Sequence, residues 1–187
     1  MIKYAITGNI ASGKSAVENI LIKNGETVID TDKISHVLLE GNKEIIDAFK
    51  DFDILSDGKI SREKLGKIVF SDKTLKKKLE NILHPQIIEK INEFFEQNKD
   101  KERVFVSIPL LFETKTEGMF DKIIFIYCDD KIRLNRLMER ENYTKEYAKS
   151  RMKSQQNQDG KVKYSDIVIY NDSTPEELER LVKKLIL

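Results

Sequence analysis

A glycine-rich motif stands near the start of the 187-residue chain. Residues 8–15 read GNIASGKS and match the pattern G-x-x-x-x-G-K-[ST] at every defined position. A loop with a glycine at each end can wrap a polyphosphate with its backbone N–H groups, and the N-terminus of the following helix favours the same negative charge. Lys14 would supply a cation for the β- and γ-phosphates, and the Ser15 hydroxyl is a ligand for Mg²⁺. The motif, residues 8–15, is a P-loop and predicts a nucleoside triphosphate site.

A second candidate site is Asp30-Thr31-Asp32, at the predicted end of the second strand. The carboxyl ends of strands form the edge where α/β sheets bind ligands. Two carboxylates separated by one residue point to the same side of a strand, so one can orient an acceptor hydroxyl while the other helps the metal. The structural alternative is that Asp32 caps a helix starting near Lys33. Beside a P-loop we favour the catalytic interpretation, because a P-loop transferase must hold a nucleophile opposite the γ-phosphate.

Two arginines, Arg136 and Arg140, lie four residues apart on the helix predicted after the fourth strand. Helical spacing places them on one face, where the ordinary alternative is a solvated basic surface. The highly charged, weakly apolar stretch 139–163 is typical of a lid, which would bring arginine to the transferring phosphoryl group and exclude water.

For His84 a packed structural histidine is the alternative to a site role. Cys128 is predicted to be a small core residue.

Five short apolar runs predict the strands that would position these residues. They span residues 2–7, 27–29, 104–108, 123–127 and 167–169. The last three are nearly continuous rather than alternating, which is typical of parallel strands covered on both faces. Helical patterns alternate with them, so the predicted fold is α/β with a five-stranded parallel sheet, a P-loop nucleotide-kinase core. In the last helix Thr174 is the expected cap and Pro175 the first residue. Its expected buried stripe is Leu178, Leu181, Val182, Leu185 and Ile186.

A long helical stretch separates the second and third strands. Residues from about 41 to 100 carry their own apolar pattern and are too many for a simple crossover, so they predict a helical insertion. Pro85 lies within the pattern, and we expect a kink there because proline removes one backbone hydrogen bond. The chain is therefore predicted to be one domain: a core of residues 1–40, 101–138 and 164–187, the insertion, and the lid.

The composition limits the possible partners. The chain has 33 Lys+Arg against 32 Asp+Glu, and this balance gives no electrostatic reason to expect nucleic acid or membrane binding. Apolar runs are too short for a membrane span. The single cysteine, Cys128, cannot form an internal disulfide, which fits a reducing compartment. We expect a cytoplasmic protein that acts on a small molecule as a monomer or weak homo-oligomer.

The order of motifs resembles the dephospho-CoA kinase family along essentially the whole chain. The P-loop and Asp30-Thr31-Asp32 open the series. They are followed by DGKISREKL at 57–65, LHP at 83–85, VFVSIPLLFE at 104–113, RLMER at 136–140, RMKSQ at 151–155, Lys161 with Asp166, and IYN at 169–171. The P-loop is shared by many families, whereas the Leu-His-Pro and Pro-Leu-Leu-Phe-Glu segments are far more discriminating.

The resemblance implies an ATP- and Mg²⁺-dependent kinase that phosphorylates the ribose 3′-hydroxyl of dephospho-CoA, the last step of CoA synthesis. It implies a kinase core, a helical domain that binds the acceptor, and a lid. It also implies residue roles. The ATP phosphates would be lined by Gly8, Ala11, Ser12, Gly13, Lys14, Ser15 and Ala16, with Arg136 and the lid residue Arg140. Asp32 would face the acceptor hydroxyl, and the dephospho-CoA side would hold His84, Pro85, Leu110, Leu111 and Glu113. The residue pattern itself assigns the metal to Ser15 and Asp30.

The chain departs from the family pattern at a few positions. The family usually has glycine where Asn9 and Ala11 stand and threonine at Ala16, differences expected to affect loop packing more than chemistry. Ser107 stands where the family commonly carries an aspartate. This difference predicts a metal that depends more on Ser15 and the Asp30/Asp32 pair, and a reduced activity. Two alternatives stay open: another nucleotide or nucleoside kinase, and a regulatory module that binds nucleotide without efficient turnover. A GTPase is disfavoured because no Asn-Lys-x-Asp segment follows the fourth strand.

Overall fold

The computed structural model describes residues 1–141 and 143–187, with the side chains of Arg140 and Glu141 also outside the description. Its contacts divide the chain into two compact units. Residues 1–30 and 98–187 form one, here called the core unit, and residues 31–97 form the other, the helical unit. Since α2 (Thr31–Leu39) belongs to the helical unit, the division falls at Thr31 and not near residue 41.

The core unit is built on a parallel sheet of five strands. In chain order they are β1 (Ile2–Gly8), β2 (Val28–Asp30), β5 (Arg103–Ser107), β6 (Lys122–Tyr127) and β7 (Ile167–Tyr170). Their spatial order is β2-β5-β1-β6-β7, with every neighbouring pair parallel. The predicted fold class is thereby confirmed. From β1 the chain crosses to β2 at one edge of the sheet, and from β2 it returns in the opposite direction through β5, β6 and β7. The connections that leave the neighbouring strands β1 and β5 therefore run in opposite directions, and α/β sheets bind ligands at the carboxyl edge beside such a point.

Helices cover this sheet. The core unit contains α1 (Lys14–Lys23), α6 (Asp130–Glu141), α7 (Lys145–Lys153), α8 (Gln158–Val162) and α9 (Pro175–Leu185). One apolar cluster joins the sheet to α1 and α9, with the buried members Ile6, Val17, Leu21, Phe105, Ile124, Ile126, Ile169, Leu178, Val182 and Ile186. Thr174 caps α9 as predicted, its Oγ1 accepting from the Glu177 N–H at 3.3 Å. Leu185, however, is 41% exposed, whereas Ile186 directly after it is buried; the predicted place of Leu185 in the buried stripe is wrong.

The helical unit has a separate apolar core. Its elements are α2 (Thr31–Leu39), α3 (Lys43–Ala48), the short antiparallel strands β3 (Leu55–Ser56) and β4 (Lys59–Ile60), α4 (Arg62–Ser71) and α5 (Lys73–Gln97). Phe49, Ile45, Ile54 and Leu65 are almost completely buried at its centre. The long α5 continues through Pro85 for 25 residues, so the proline does not end the helix. Within the described residues no helix is long and apolar enough to cross a membrane.

Candidate active site

The loop between β1 and α1 has the backbone of a phosphate-binding turn. Ala11 and Gly13 take positive φ angles of 61° and 95°, and the Ser12 N–H donates to the Asn9 carbonyl at 3.0 Å. At Gly13 a Cβ atom would collide with the side-chain amide of Asn171. Glycine is therefore required here for its conformation and for the space that Asn171 occupies.

The N-terminus of α1 lies directly after this turn. Gly13 is its N-cap, and among the described residues no side chain caps the helix there. The first N–H groups of a helix and its dipole together attract anions. Lys14 and Ser15 are the first two residues of α1, so this part of the predicted phosphate site lies at one helix end.

Lys14 is held by two partners beside the loop. Its Nζ donates to Glu18 Oε1 at 3.1 Å and to Ser107 Oγ at 2.7 Å, and the Ser107 hydroxyl donates to Glu18 Oε1 at 2.5 Å. Glu18 and Ser107 are 5% and 0% exposed. The sequence motifs assign no role to Glu18. Its signal is an acidic residue four positions after the P-loop lysine, one helical turn away.

The two candidate aspartates do not continue one strand. Asp30 is the last residue of β2, whereas Asp32 is exposed in the first turn of α2. The prediction that both point to the same side of a strand is therefore wrong, because the chain turns helical at Thr31. The N-cap alternative is also wrong, since Asp32 lies within the helix. A carboxylate in the first turn is nevertheless stabilised by the helix dipole.

A cavity of about 720 Å³ opens beside the P-loop. Its lining includes the loop residues Ala11 and Gly13, two arginines, Arg136 and Arg151, and Asn171. Arg136 is fixed by hydrogen bonds to the Asn171 carbonyl (3.1 Å) and to Cys128 Sγ (3.3 Å). The Nε of Arg151 is buried without a hydrogen-bond partner among the described residues. The cavity therefore joins the P-loop to positive charge, as a polyphosphate requires. Arg151 and Asn171 lie in the RMKSQ and IYN segments, but the sequence motifs assign neither a role.

Asn171 connects β7 with the P-loop. Its side-chain amide donates to the Ser12 carbonyl at 2.8 Å, and its backbone N–H donates to the Tyr127 carbonyl at 2.9 Å. It is 7% exposed. This amide therefore holds the loop against the carboxyl ends of β6 and β7. The segment IYN in the sequence is the available signal.

The predicted lid includes residues that bind the P-loop directly. Gln155 Oε1 accepts from the Ile10 N–H at 2.7 Å, and Asn9 Nδ2 donates to the Gln156 carbonyl at 2.9 Å. Lys161, only 2% exposed, donates to Asn9 Oδ1 at 2.9 Å and to Glu113 Oε1 at 2.7 Å. At Asn9 the resembled family usually has glycine; in this chain the asparagine side chain links the P-loop to Gln156 and Lys161. The Arg140 side chain lies outside the described residues.

The candidate acceptor-side residues are distributed over both units. Leu110 is 39% exposed, whereas Leu111 is fully buried and packs in the interior. Glu113 pairs with Lys161, as described above. Asp32, His84 and Pro85 belong to the helical unit, and their part in the site stays a prediction.

The thiol of Cys128 is buried at the end of β6. Burial raises its pKa to about 11, against a smaller opposing effect of Arg136. A thiol with so high a pKa is neutral at physiological pH and a poor nucleophile. The cysteine therefore fits its predicted structural role.

Together, a parallel sheet in which the connections from β1 and β5 run in opposite directions, a P-loop at the carboxyl end of β1, and an arginine-lined cavity beside it define a P-loop kinase. Comparison with known proteins narrows the class. The family model for dephospho-CoA kinase matches residues 2–177. The chain belongs to the dephospho-CoA kinase family, which confirms the resemblance drawn from its motifs.

Individual relatives agree with this assignment. The chain is 40% identical to a dephospho-CoA kinase of Listeria monocytogenes over 97% of this chain and 94% of that relative. Among solved structures it is similar to the dephospho-CoA kinase of Campylobacter jejuni, with a TM-score of 0.77, 35% identity, and 97% and 94% of the two chains covered. It is also similar to TT1252 of Thermus thermophilus, with a TM-score of 0.86, 32% identity, and 98% and 95% coverage.

Proposed function

We propose that this enzyme transfers the γ-phosphoryl group of ATP, with Mg²⁺, to the ribose 3′-hydroxyl of dephospho-CoA. ATP-dependent phosphorylation of dephospho-CoA, in CoA biosynthesis, is the activity of its family. The observation that carries the proposal for this chain is the complete P-loop: Lys14 stands at the N-terminus of α1, beside a cavity large enough for a nucleotide.

In the proposed mechanism the core unit binds ATP. Residues 11–16 line the phosphates, with the backbone N–H groups at the N-terminus of α1 directed at them, and Lys14 places its ammonium group against the β- and γ-phosphates. Arg136 and Arg151 line the adjoining cavity and neutralise part of the triphosphate charge. Arg140 would add positive charge as the phosphoryl group moves, which stabilises the transition state more than bound ATP.

The donor chemistry around the loop fits a magnesium ion. Ser15 and Asp30 offer a hydroxyl and a carboxylate, the hard oxygen ligands that Mg²⁺ prefers. Among the described residues no cluster of three acidic, histidine or cysteine side chains forms a protein-only metal cage, which suits a cation bound mainly through phosphate oxygens. When bound, Mg²⁺ would neutralise charge that develops on the β- and γ-phosphates.

The acceptor is proposed to lie on the side of Asp32. Its exposed carboxylate would orient the 3′-hydroxyl and accept its proton late in the transfer. His84, Pro85, Leu110 and Glu113 would contact dephospho-CoA, and residues 139–163 would exclude water as a lid. We further propose that the reaction takes place in the cytoplasm, in a monomer or weak homo-oligomer without a nucleic-acid partner. The charge balance supports the absence of nucleic acid.

Product analysis tests the proposal. The purified protein is incubated with ATP, Mg²⁺ and dephospho-CoA, and in parallel with AMP or a nucleoside as acceptor. Mass spectrometry and NMR should show one phosphate added at the ribose 3′-position of dephospho-CoA. Phosphorylation of AMP or a nucleoside in preference to dephospho-CoA would identify another nucleotide kinase. ATP binding without any phosphorylated product would identify a regulatory module.

A further inference from the structure

The buried carboxylate of Glu18 stands next to the P-loop lysine. Glu18 lies on α1, four residues after Lys14, and its Oε1 accepts from both Lys14 Nζ (3.1 Å) and Ser107 Oγ (2.5 Å). The side chains of Lys14 and Glu18 are 13% and 7% exposed. Most helical pairs of this spacing lie in water and contribute little. This pair is buried at the carboxyl edge of the sheet.

A negative charge at this position needs an explanation. It faces the loop that must attract a polyphosphate, so its long-range effect opposes nucleotide binding. Burying a carboxylate is also unfavourable unless hydrogen bonds compensate it. An apolar side chain would fill the same space between α1 and the sheet at lower cost. The carboxylate is therefore expected to act locally, on Lys14.

The hydrogen-bond geometry shows what that local action is. A lysine ammonium has three N–H donors on a flexible stem. Among the described residues, Glu18 and Ser107 accept two of them. Their positions restrict Nζ to the end of β5 and leave the third N–H for a phosphate oxygen. Ser107 bridges the two charges, because its hydroxyl accepts from Lys14 and donates to Glu18.

We propose that Glu18 is a positioning residue for phosphoryl transfer, acting through Lys14 with Ser107 as the bridge. A preorganised ammonium group stabilises the transferring phosphoryl without reorganising during the reaction. The same contacts account for Ser107. The resembled family commonly carries an aspartate at this position of β5, and in this chain Glu18 on α1 supplies the carboxylate instead. The inference rests on the proposed kinase function of this site.

Kinetics of three variants test it. Glu18→Gln keeps the shape and removes the charge. We expect kcat to fall about 10- to 100-fold, the effect of one charge-assisted hydrogen bond, with KM for ATP changed less than about threefold because the phosphates keep their backbone contacts. Ser107→Ala should lower kcat by a smaller factor in the same direction. The matched control is Glu179→Gln, which breaks an exposed pair of the same spacing with Lys183 and should leave kcat unchanged.

Relocating the carboxylate separates positioning from mere packing. In Glu18→Ala with Ser107→Asp, the acidic group moves to β5, where the Ser107 side chain already lies 2.7 Å from Lys14 Nζ. We expect this double variant to recover at least about tenfold of the kcat lost in Glu18→Ala, since the lysine regains a charged partner. If Glu18 only stabilised the fold, its variants would lower the melting temperature but would not lower kcat selectively over KM.

The outcomes are distinguishable. Normal kcat in Glu18→Gln, or no recovery in the double variant, overturns the inference while the wild-type enzyme still phosphorylates dephospho-CoA. If the wild-type protein forms no phosphorylated dephospho-CoA, the proposed function itself fails. Should Glu18→Gln not fold, Ser107→Ala and the double variant decide the question: unchanged kcat in the first, or inactivity of the second in a folded state, overturns the inference.

Discussion

Replacing Lys161 with methionine should destabilise the core unit severely for a single substitution. Lys161 is 2% exposed and donates to Glu113 Oε1 at 2.7 Å and to Asn9 Oδ1 at 2.9 Å. Methionine fills most of the volume of the stem but donates no hydrogen bond. The variant leaves a carboxylate and an amide oxygen without their donor. The other carboxylate oxygen, Glu113 Oε2, already has no hydrogen-bond partner among the described residues.

The size of the effect follows from burial. Breaking a fully buried ion pair costs about 3–5 kcal/mol. The Glu113 side chain is 21% exposed, so water can solvate it partly, and we expect about 2–4 kcal/mol for Lys161→Met. For a chain of this length each kcal/mol lowers the melting temperature by about 2–4 °C, which predicts a decrease of roughly 5–15 °C.

Thermal melting followed by circular dichroism measures this decrease. The control Lys183→Met removes an exposed lysine paired with Glu179 at 2.6 Å and should change the melting temperature by less than about 2 °C. Adding Glu113→Gln to Lys161→Met should recover roughly half of the loss, because the uncompensated charge is gone while Asn9 Oδ1 still lacks its donor. A Lys161→Met protein that melts like the control would refute the reasoning, as would a double variant less stable than the single one.

The remaining predictions concern catalysis and pH. Lys14→Ala should lower turnover by about 10²-fold or more, because the residue supplies charge to the transition state; the variant should still fold, at a lower melting temperature because Glu18 loses its ammonium partner, and wild-type turnover would eliminate the ATP-site assignment. Asp32→Asn should lower kcat by about 10²–10⁴-fold and retain ATP binding, with a change in stability under about 1 kcal/mol from the helix dipole; a fully active variant would return Asp32 to a structural role. Arg140→Ala should reduce kcat more than ATP affinity; titration showing weaker ATP binding at unchanged kcat would contradict a lid arginine. Finally, the Ile123 N–H, with help from Lys122, lowers the pKa of Asp166 below its ordinary 3.8. Its contribution to stability is therefore complete above that value and is lost as the pH falls through the lowered pKa; acid titration of unfolding should show a smaller dependence in Asp166→Asn.

Features that depend on neighbouring residues in the chain could be predicted. The P-loop is eight consecutive residues, and its glycines and lysine carry their chemistry within the turn that they form. The five strands follow from apolar runs, because parallel strands buried on both faces need apolar side chains on both. The cap and first turn of α9 follow from Thr174 and Pro175, whose preferences are those of a helix N-terminus.

The boundaries of helices and strands were harder to predict from the sequence, because they depend on packing. The sequence indicates a strand through residue 29 and a helix after residue 32, but the turn from β2 to α2 occurs at Thr31. That one position separates Asp30 from Asp32 and assigns α2 to the helical unit. Leu185 has the periodicity of a core residue, yet it is 41% exposed, whereas Ile186 directly after it is buried. Periodicity reports which residues share a face, not how far the neighbouring elements cover that face.

The order of residues predicts the chemistry available at the P-loop and the strands and helices around it. Only the folded chain shows which polar and charged residues reach that loop. Glu18 and Ser107 meet across 89 residues, Asn171 and Ser12 across 159, and Lys161 and Asn9 across 152. On the sequence, glutamate and lysine most often indicate a solvated surface. Here a parallel sheet brings the carboxyl ends of strands distant in the chain to one edge, so that buried partners satisfy these side chains in place of water.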